Sequence, residues 1–409
     1  MPRKLTSFLD SWLEYTKPLP TPYSFRIWTG LGLISSALSR RVWIKANPRL
    51  PLCYPNLYLL LVGNPGVGKD IAINIAADLI IKSNAAAGAP VVCIGPESIS
   101  PKGLIDRLAN EKAKQIVRYR DAKLGEILIE IHSLTFLIGE LGTALSEYDP
   151  KLIPILNDLF NNKSQFVDVI RGMEVEITNP HLTLILGNQP TTLADVFPER
   201  AFRMGLTSRI IFIYAEEPVF KDLFYETTDE QMWDQKLEPN LIHDFIDISR
   251  MAGPMEPTDE VKNLLNKFNK DRPKQVMGTR YLDYNTRRPL HLQKLCICLA
   301  ASESSSNVIE AHHFHKALEY LHGVEAKMDK IFDTITTSTG FSHIYEEMIN
   351  LGQTKEILTH REITSLICRT RPAHDVRNII DIAIADGILT PVYDEAGAPI
   401  KPLRFRISK

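Results

Sequence analysis

Residues 59–70 constrain this chain more than any other stretch. Leu59-Leu60-Leu61-Val62 is an apolar run too short for a helix. It meets the glycine-rich turn Gly63-Asn64-Pro65-Gly66-Val67-Gly68 and then Lys69-Asp70. Ile71 to Ile80 follows with apolar residues at helical spacing and alanines that permit close packing. The spacing predicts strand, loop, helix. Glycine, four residues, glycine, lysine is the phosphate-cradling pattern. The glycines let backbone N–H groups turn inward, and the helix offers its positive end. Gly63 to Asp70 are therefore the expected nucleotide-binding residues, with Lys69 as the point charge for the phosphates. The bland alternative is a glycine-rich turn beside a surface lysine.

One position departs from the pattern. A serine or threonine hydroxyl normally follows the lysine and holds Mg²⁺; here that residue is Asp70. A second departure lies downstream. Leu134 to Ile138 predicts a buried strand, and it is followed by Gly139-Glu140. In a P-loop ATPase the strand parallel to the Walker A strand ends in Asp-Glu, the first residue serving the metal and the second orienting the attacking water. Glu140 fits the base position, but Gly139 stands in place of the aspartate. The two departures suggest compensation, with Asp70 as the Mg²⁺-side carboxylate. Independent loss at both positions, with poor hydrolysis, is the competing expectation.

At 409 residues, with 44% apolar and 23% charged residues, the composition is that of a soluble globular protein of two or three domains. A net charge of −2 means that any nucleic-acid contact must be local. The five cysteines have no metal-ligand spacing and suit a reducing, cytoplasmic setting. Met1-Pro2-Arg3-Lys4 leads into an amphipathic stretch, so no signal peptide is expected, and no run is long enough to span a membrane.

Residues 5–45 predict helices, the second rich in small residues and buried, with Arg40-Arg41 solvating its end or facing a neighbouring subunit or nucleic acid, then a short strand, Val42-Trp43-Ile44. Ala89 to Ile94 predicts a strand, and Asn110 to Glu126 a polar helix with a solvated face. Gln165–Ile170 and Met173–Ile177 alternate in polarity around Arg171-Gly172, which predicts a hairpin with Arg171 at its tip. Arg171 and nearby Lys163 are candidate phosphate-backbone contacts, or an ordinary surface hairpin. His181 to Gly187 predicts another buried strand, ending on Asn188, a candidate γ-phosphate sensor. Arg209 precedes the apolar strand Ile210–Tyr214 and is suited to reach a neighbouring subunit's nucleotide as an arginine finger, with Arg200 and Arg203 as rivals. Further on, Arg287 or Arg288 opens an apolar helix and is a candidate second sensor, or a charged surface helix start. Four histidines on the next helix (His312, His313, His315, His322) read as surface residues. From Gly340 the pattern is helix, helix, helix, strands, which predicts a winged helix for DNA or protein contact.

This order of features resembles the AAA+ ATPases. The hairpin before the sensor strand and Ser208-Arg209 before the last strand look most like the branch containing the minichromosome-maintenance helicases. The N-terminal region and Ile138-Gly139-Glu140-Leu141 are similar to helicase-like replication proteins of phages and mobile elements. The resemblance spans residues 25–325. It implies an α/β fold: an AAA+ P-loop core at 51–217, with a parallel sheet and helices on both faces. Around the core it implies an N-terminal helical collar at 1–50, a helical lid at 218–338 and a C-terminal winged helix at 339–409. It implies Lys69 as phosphate lysine, Glu140 as catalytic base, Asn188 as first sensor and Arg209 as finger, with ATP and Mg²⁺ as cofactors. The expected function is an ATP-driven DNA translocase or replicative helicase, a homo-oligomeric ring, most simply a hexamer, gripping single-stranded DNA. The alternatives are an ATP-controlled loader or scaffold on DNA that recruits a partner without unwinding, and an ATPase that remodels protein.

Overall fold

The computed structural model describes residues 2–47, 49, 51–98, 100–121, 123–141, 151–170, 173–193, 205–221, 237–271, 282–331, 348, 351, 355, 357–369, 376–385, 388–393 and 403–407. In chain order the described elements begin with α1 (Phe8–Tyr15), α2 (Tyr23–Leu38), β1 (Val42–Trp43), β2 (Tyr58–Val62), α3 (Lys69–Ala87) and α4 (Pro101–Leu108). Next come β3 (Lys114–Asp121), β4 (Gly125–Ile138), α5 (Leu152–Phe160), β5 (Gln165–Ile170), β6 (Met173–Thr178), β7 (Pro180–Asn188) and β8 (Ile210–Tyr214). A helical stretch follows with α6 (Leu237–Ile248), β9 (Gly253–Pro254), β10 (Glu256–Pro257), α7 (Asp259–Asp271), α8 (Leu282–Glu303), β11 (Val308–Ile309) and α9 (Ala311–Glu325). The last elements are β12 (Ile357–Thr359), α10 (His360–Ile367), α11 (Val376–Ala385), β13 (Leu389–Pro391) and β14 (Arg404–Ile407). The chain divides into two compact units, Met1–Ile331 and Phe332–Lys409.

In the first unit a mixed five-stranded sheet runs in the order β3-β4-β7-β2-β8. β2 is parallel to β7 and to β8, and β4 is parallel to β7. The five residues of β2 are all apolar and all buried, as expected of a central strand covered on both faces. Helices cover both faces. Gly32 of α2 lies against Leu59 and Ile185, while Tyr58, pointing the other way, meets Phe160 of α5 edge-on and donates its hydroxyl to the Leu156 carbonyl at 2.9 Å. The small residues of α2 are what let it come this close. Gly30 leaves room for Trp12 of α1, and Ser35 Oγ donates to the Pro55 carbonyl at 2.8 Å.

The N-terminal helices share one hydrophobic core with the sheet, α6, α8 and α9. The start of the chain is fastened to that core by charge. Buried Asp244 accepts the backbone N–H groups of Lys4 and Leu5, both at 2.9 Å, and Arg3 donates to the Ser302 carbonyl at 3.0 Å.

Three local expectations are corrected. Asn110 to Glu126 is not a helix: β3 and the first half of β4 form an antiparallel hairpin in which Lys114 faces His132 and Asp121 faces Gly125. Its charges are cross-strand pairs, Arg118 with Glu126 at 3.1 Å and Lys114 with Glu130 at 3.0 Å, and the turn is closed by Asp121 accepting the N–H groups of Lys123 and Leu124. Ile127, Ile129 and Ile131 alternate with Glu126, exposed Leu128, Glu130 and His132, a period-2 pattern that the charge count obscured. Ala89 to Ile94 makes only an isolated parallel bridge, Ile94 to Thr135. Arg40 does not solvate a helix end. It is 5% exposed and donates to the carbonyls of Asn162, Lys163 and Pro180, tying the end of α2 to the start of β5 and β7.

The second unit has an antiparallel three-stranded sheet, order β12-β14-β13, with α10 and α11. Leu358, Ile363, Ile367, Ile379, Ala383, Leu389 and Phe405 are in its core. Thr359 and Glu362 form a reciprocal capping box at the start of α10. The first two helical turns expected after Gly340 fall largely outside the described residues.

A buried lysine ties α8 to the segment before β2. Lys294 is 1% exposed; its ammonium donates to the Asn56 carbonyl at 3.0 Å and to Asn56 Oδ1, and stands 4.0 Å from the centre of the Phe160 ring. No carboxylate among the described residues pairs with it, and burial lowers its pKa to about 7. In the unfolded chain the amine titrates near ~10.4. Between those values the unfolded state holds the extra proton, so this residue makes stability rise with pH from about 7 upward. Urea unfolding at pH 7 and pH 9 is expected to show wild type gaining on Lys294→Met by up to about 1.4 kcal/mol per pH unit; a difference that does not change with pH refutes this.

Candidate nucleotide site

The P-loop stretch adopts the conformation its residues require. β2 ends at Val62, the turn takes positive φ at Gly66 (81°) and Gly68 (93°), and α3 starts at Lys69. Gly68 is the N-cap and supplies no capping side chain, so the first N–H groups of α3 are offered to an external anion. A Cβ on Gly63 would stand 2.8 Å from the Ala215 carbonyl. The turn is braced from beneath by the connection between α1 and α2. Thr21 Oγ1 donates to the Gly68 carbonyl at 2.9 Å, and Pro20 is so close that position 68 accepts no side chain. Thr21 was not among the expected site residues; nothing local in Lys17-Pro18-Leu19-Pro20-Thr21-Pro22 points to the P-loop.

Lys69 is 5% exposed, and its ammonium is folded back on the loop, donating to the carbonyls of Gly63 at 2.7 Å and Asn64 at 3.2 Å. Desolvation lowers its pKa, while the negative charges of Glu140 and Asp70 pull the other way. The strand ends bring the other expected groups alongside. Val62 is in register with Asn188, and Ile138 with Leu186, so the carboxyl ends of β2, β7 and β4 present Gly63, Asn188 and Gly139-Glu140 side by side. The Asn188 carbonyl accepts the Gly63 N–H at 3.3 Å. Asn188 Oδ1 is approached by the Thr192 hydroxyl, and Glu140 Oε2 by Gln189 Nε2, both at 3.4 Å. Gln189 and Thr192 extend the expected set; both follow Asn188 directly on the same strand exit.

The structure therefore brings together Gly63 to Asp70, Glu140 and Asn188. It places Arg209, Arg287 and Arg288 elsewhere. Arg209 lies at the opposite end of β8, at the level of Tyr58, about 16 Å along the strands from the P-loop. It is 7% exposed, donates to the Gly205 carbonyl at 2.6 Å and lies over Phe160. Burial and the neighbouring Arg287 lower its pKa to about 10. Arg287 donates to Ser208 Oγ at 3.0 Å, and neutral His291 donates to the Ser208 carbonyl at 3.0 Å. Arg287 thus belongs with Arg209, not with Lys69.

Arg288 is not a charged surface helix start: its guanidinium is buried and paired twice with buried Glu325, at 2.6 and 2.8 Å. Lys163 sits before β5, its ammonium on Asp158 at 2.9 Å. The strands β5 and β6 are present in register, Gln165 opposite Thr178, whereas Arg171, Arg200 and Arg203 lie outside the described residues.

One His/Glu group lies away from this site. Glu303, His312 and His313 bring three ligand atoms together. His313, however, is buried rather than on the surface, and its Nδ1 accepts the Glu310 N–H at 2.9 Å. Its Nε2 then carries the proton and donates to Glu303 at 3.2 Å. That pairing closes the start of α9 and leaves His313 no lone pair for a metal.

No protein-family model matches the sequence, and no curated protein matches it. No helix among the described residues is long and apolar enough to cross a membrane.

The Arg288–Glu325 assignment has a direct test. Arg288→Met is expected to cost about 3–5 kcal/mol in urea unfolding by stranding a buried carboxylate, and Arg288→Met with Glu325→Leu to recover most of it. Lost nucleotide affinity without lost stability would return Arg288 to the sensor role.

Proposed function

We propose that this protein is a P-loop ATPase of the AAA+ type that translocates on DNA, most simply a replicative helicase of a phage or mobile element. The observation that carries the reading is the convergence of a glycine-turned P-loop, Lys69, Asp70, Glu140 and Asn188 at the carboxyl ends of three parallel strands. On this reading Lys69 leaves the Gly63 and Asn64 carbonyls and moves onto the phosphates. The first N–H groups of α3 and of the loop hold the phosphate oxygens. Glu140 orients the attacking water and takes its proton, and Asn188, with Gln189 beside it, fixes that water's position. Mg²⁺ bound with the nucleotide would neutralise charge on the phosphates.

The remote position of Arg209 supports a ring, most simply a hexamer, in which that arginine serves a neighbour's nucleotide. In such a ring the β5–β6 hairpins, each with Arg171, line the pore and hold single-stranded DNA by its backbone. The small second unit, read as a winged helix, is assigned to DNA or partner contact. One observation favours a second reading: Gly139 removes the usual metal-side carboxylate from the base strand. A slow ATPase of this kind suits a nucleotide-controlled loader or scaffold that assembles on DNA and recruits a partner.

The deciding measurement is ATP turnover with and without single-stranded DNA. Glu140→Gln is expected to keep nucleotide binding and lose turnover by about 10²–10³-fold, and Lys69→Ala to lose binding. Arg171→Ala is expected to abolish DNA stimulation, and the stimulation itself to weaken with salt. Nucleotide-dependent assembly with no DNA stimulation would move the assignment to the loader; no turnover and no assembly would remove both.

A further inference from the structure

The loop reaches α3 through its least constrained residues. Gly66 and Gly68 both lie in the left-handed region, and Gly68, the last residue before Lys69, has no side chain to hold it. Yet the orientation of its peptide decides where a helix donor points. In a planar trans peptide the carbonyl and the next N–H point opposite ways, so the direction of the Gly68 carbonyl sets that of the Lys69 N–H. That N–H is the first donor of α3, one of those without an intrahelical acceptor, and it is turned toward an anion at the helix start.

Two donors fix the Gly68 carbonyl. One is the Ala72 N–H at 3.2 Å, the first bond of α3 itself. The other is Thr21 Oγ1 at 2.9 Å, 47 residues earlier in the chain. Thr21 is 1% exposed, so water does not compete for its hydroxyl. A stiff segment presents it. Pro18, Pro20 and Pro22 alternate along this segment, each with φ fixed by its ring. The Leu19 N–H donates to the Thr16 carbonyl at 3.1 Å, and the Thr21 N–H to the Leu19 carbonyl at 2.8 Å. Pro22 then caps α2, and the Pro20 carbonyl fills the space beneath Gly68. α1 also reaches α3 a second time. Tyr15, its last residue, donates its hydroxyl to Glu238 Oε1 of α6 at 2.6 Å, and Lys82 of α3 donates to the same oxygen at 2.7 Å. Lys69 and Lys82 are about 20 Å apart along the helix, so the axis of α3 is held at two separated points.

We infer that Thr21 is a positioning residue for the phosphates of the nucleotide: its hydroxyl, acting through the Gly68 peptide, aims the Lys69 N–H, which makes the α1–α2 connection part of the site. This rests on the nucleotide-site reading above. The Thr21 side chain does not touch the ligand. It removes freedom that two glycines would leave to the loop, so the donor is in place before the phosphate arrives.

The experiment is calorimetric titration of the full chain with a non-hydrolysable ATP analogue in Mg²⁺, together with steady-state ATP turnover and urea unfolding. Thr21→Val keeps the branched shape and removes the hydroxyl. The Gly68 carbonyl retains the Ala72 N–H, so the variant is expected to fold. Its affinity is expected to fall about 3- to 10-fold, the scale of one hydrogen bond. KM for ATP should rise by the same factor with kcat within about twofold of wild type, the pattern of a lost ground-state contact. Thr21→Ser keeps the hydroxyl and should restore both affinity and KM. Wild-type affinity in folded Thr21→Val overturns the inference. So does a loss that Thr21→Ser shares in full, or one that appears in kcat alone. If Thr21→Val does not fold, Thr21→Ala replaces it under the same expectations; failure of both to fold overturns the inference, because the hydroxyl then serves the fold first. No binding by wild type instead overturns the nucleotide reading, and the inference with it.

Discussion

The working edge of this molecule depends on backbone brought closer than side chains would allow. Gly63 lies against the Ala215 carbonyl, Gly187 against the Gly139 carbonyl, and Gly139 against the Asp70 carboxylate. These glycines sit at or next to the ends of β2, β7 and β4, so three strand exits can stand side by side within reach of one loop. Gly68 extends the same device downward, where the α1–α2 connection presses up beneath the P-loop. A methyl group at Gly63, Gly187 or Gly68 would have to push a strand end or a loop aside, and one at Gly139 would displace the Asp70 carboxylate. The site is thus defined as much by what the chain omits at these positions as by the polar groups it supplies.

The far end of the sheet is built on a different principle. There Arg209, Arg287, Lys294 and Arg40 crowd around buried carbonyls and the Phe160 ring. Their charges are met by backbone oxygens, aromatic faces and distant aspartates rather than by adjacent carboxylates. The result shows in the downward pKa shifts of Arg209, Lys294 and His291, each caused first by burial and then by neighbouring cations. α8 carries Arg287, His291 and Lys294, and near its C-terminal end Ser302 accepts the Leu9 N–H at 2.8 Å. It therefore couples the cationic end of the sheet to the N-terminal helices through a single rigid element. The only comparable charge in the same bundle that has a full counterion is Arg288, held by Glu325 among the described residues.

What could be read from the residues alone follows a physical line. The strand, turn and helix of residues 58–87 were legible because their signal is local: an apolar strand, glycines where φ must be positive, and a helix directly after. The placement of Glu140 and Asn188 at strand ends was legible because each follows a largely apolar run. The β3–β4 hairpin was not, because Lys114, Arg118 and Arg120 look the same on a helix face as on a strand whose acids lie on the opposite strand. Arg40, Arg288 and His313 were misjudged for one shared reason. Their partners, the Lys163 carbonyl, Glu325 and Glu303, lie between 10 and 123 residues away, and nothing in a local window shows that a charged side chain will be satisfied indoors. Thr21 escaped notice similarly, since the P-loop it braces is 47 residues further on.

The separation between the two ends of the sheet bears on how the proposed activity must be organised. β2 and β8 are parallel and in register over their whole length, so Arg209 and Lys69 are held apart by a rigid strand pair rather than by a loop that could fold over. No rearrangement that keeps this sheet intact brings that guanidinium to the phosphates of its own chain. A transition-state arginine at this position can act only on a site presented by another copy, and it must first exchange the Gly205 carbonyl and the Phe160 ring for the incoming phosphate. An anion brought to this guanidinium would offset both its desolvation and the repulsion from Arg287, the two causes that lower its pKa. Under the proposed function, the cationic end of each chain is thus primed for the nucleotide held at the glycine-lined end of the next, and the sheet between them is the spacer that keeps a lone chain from completing its own site.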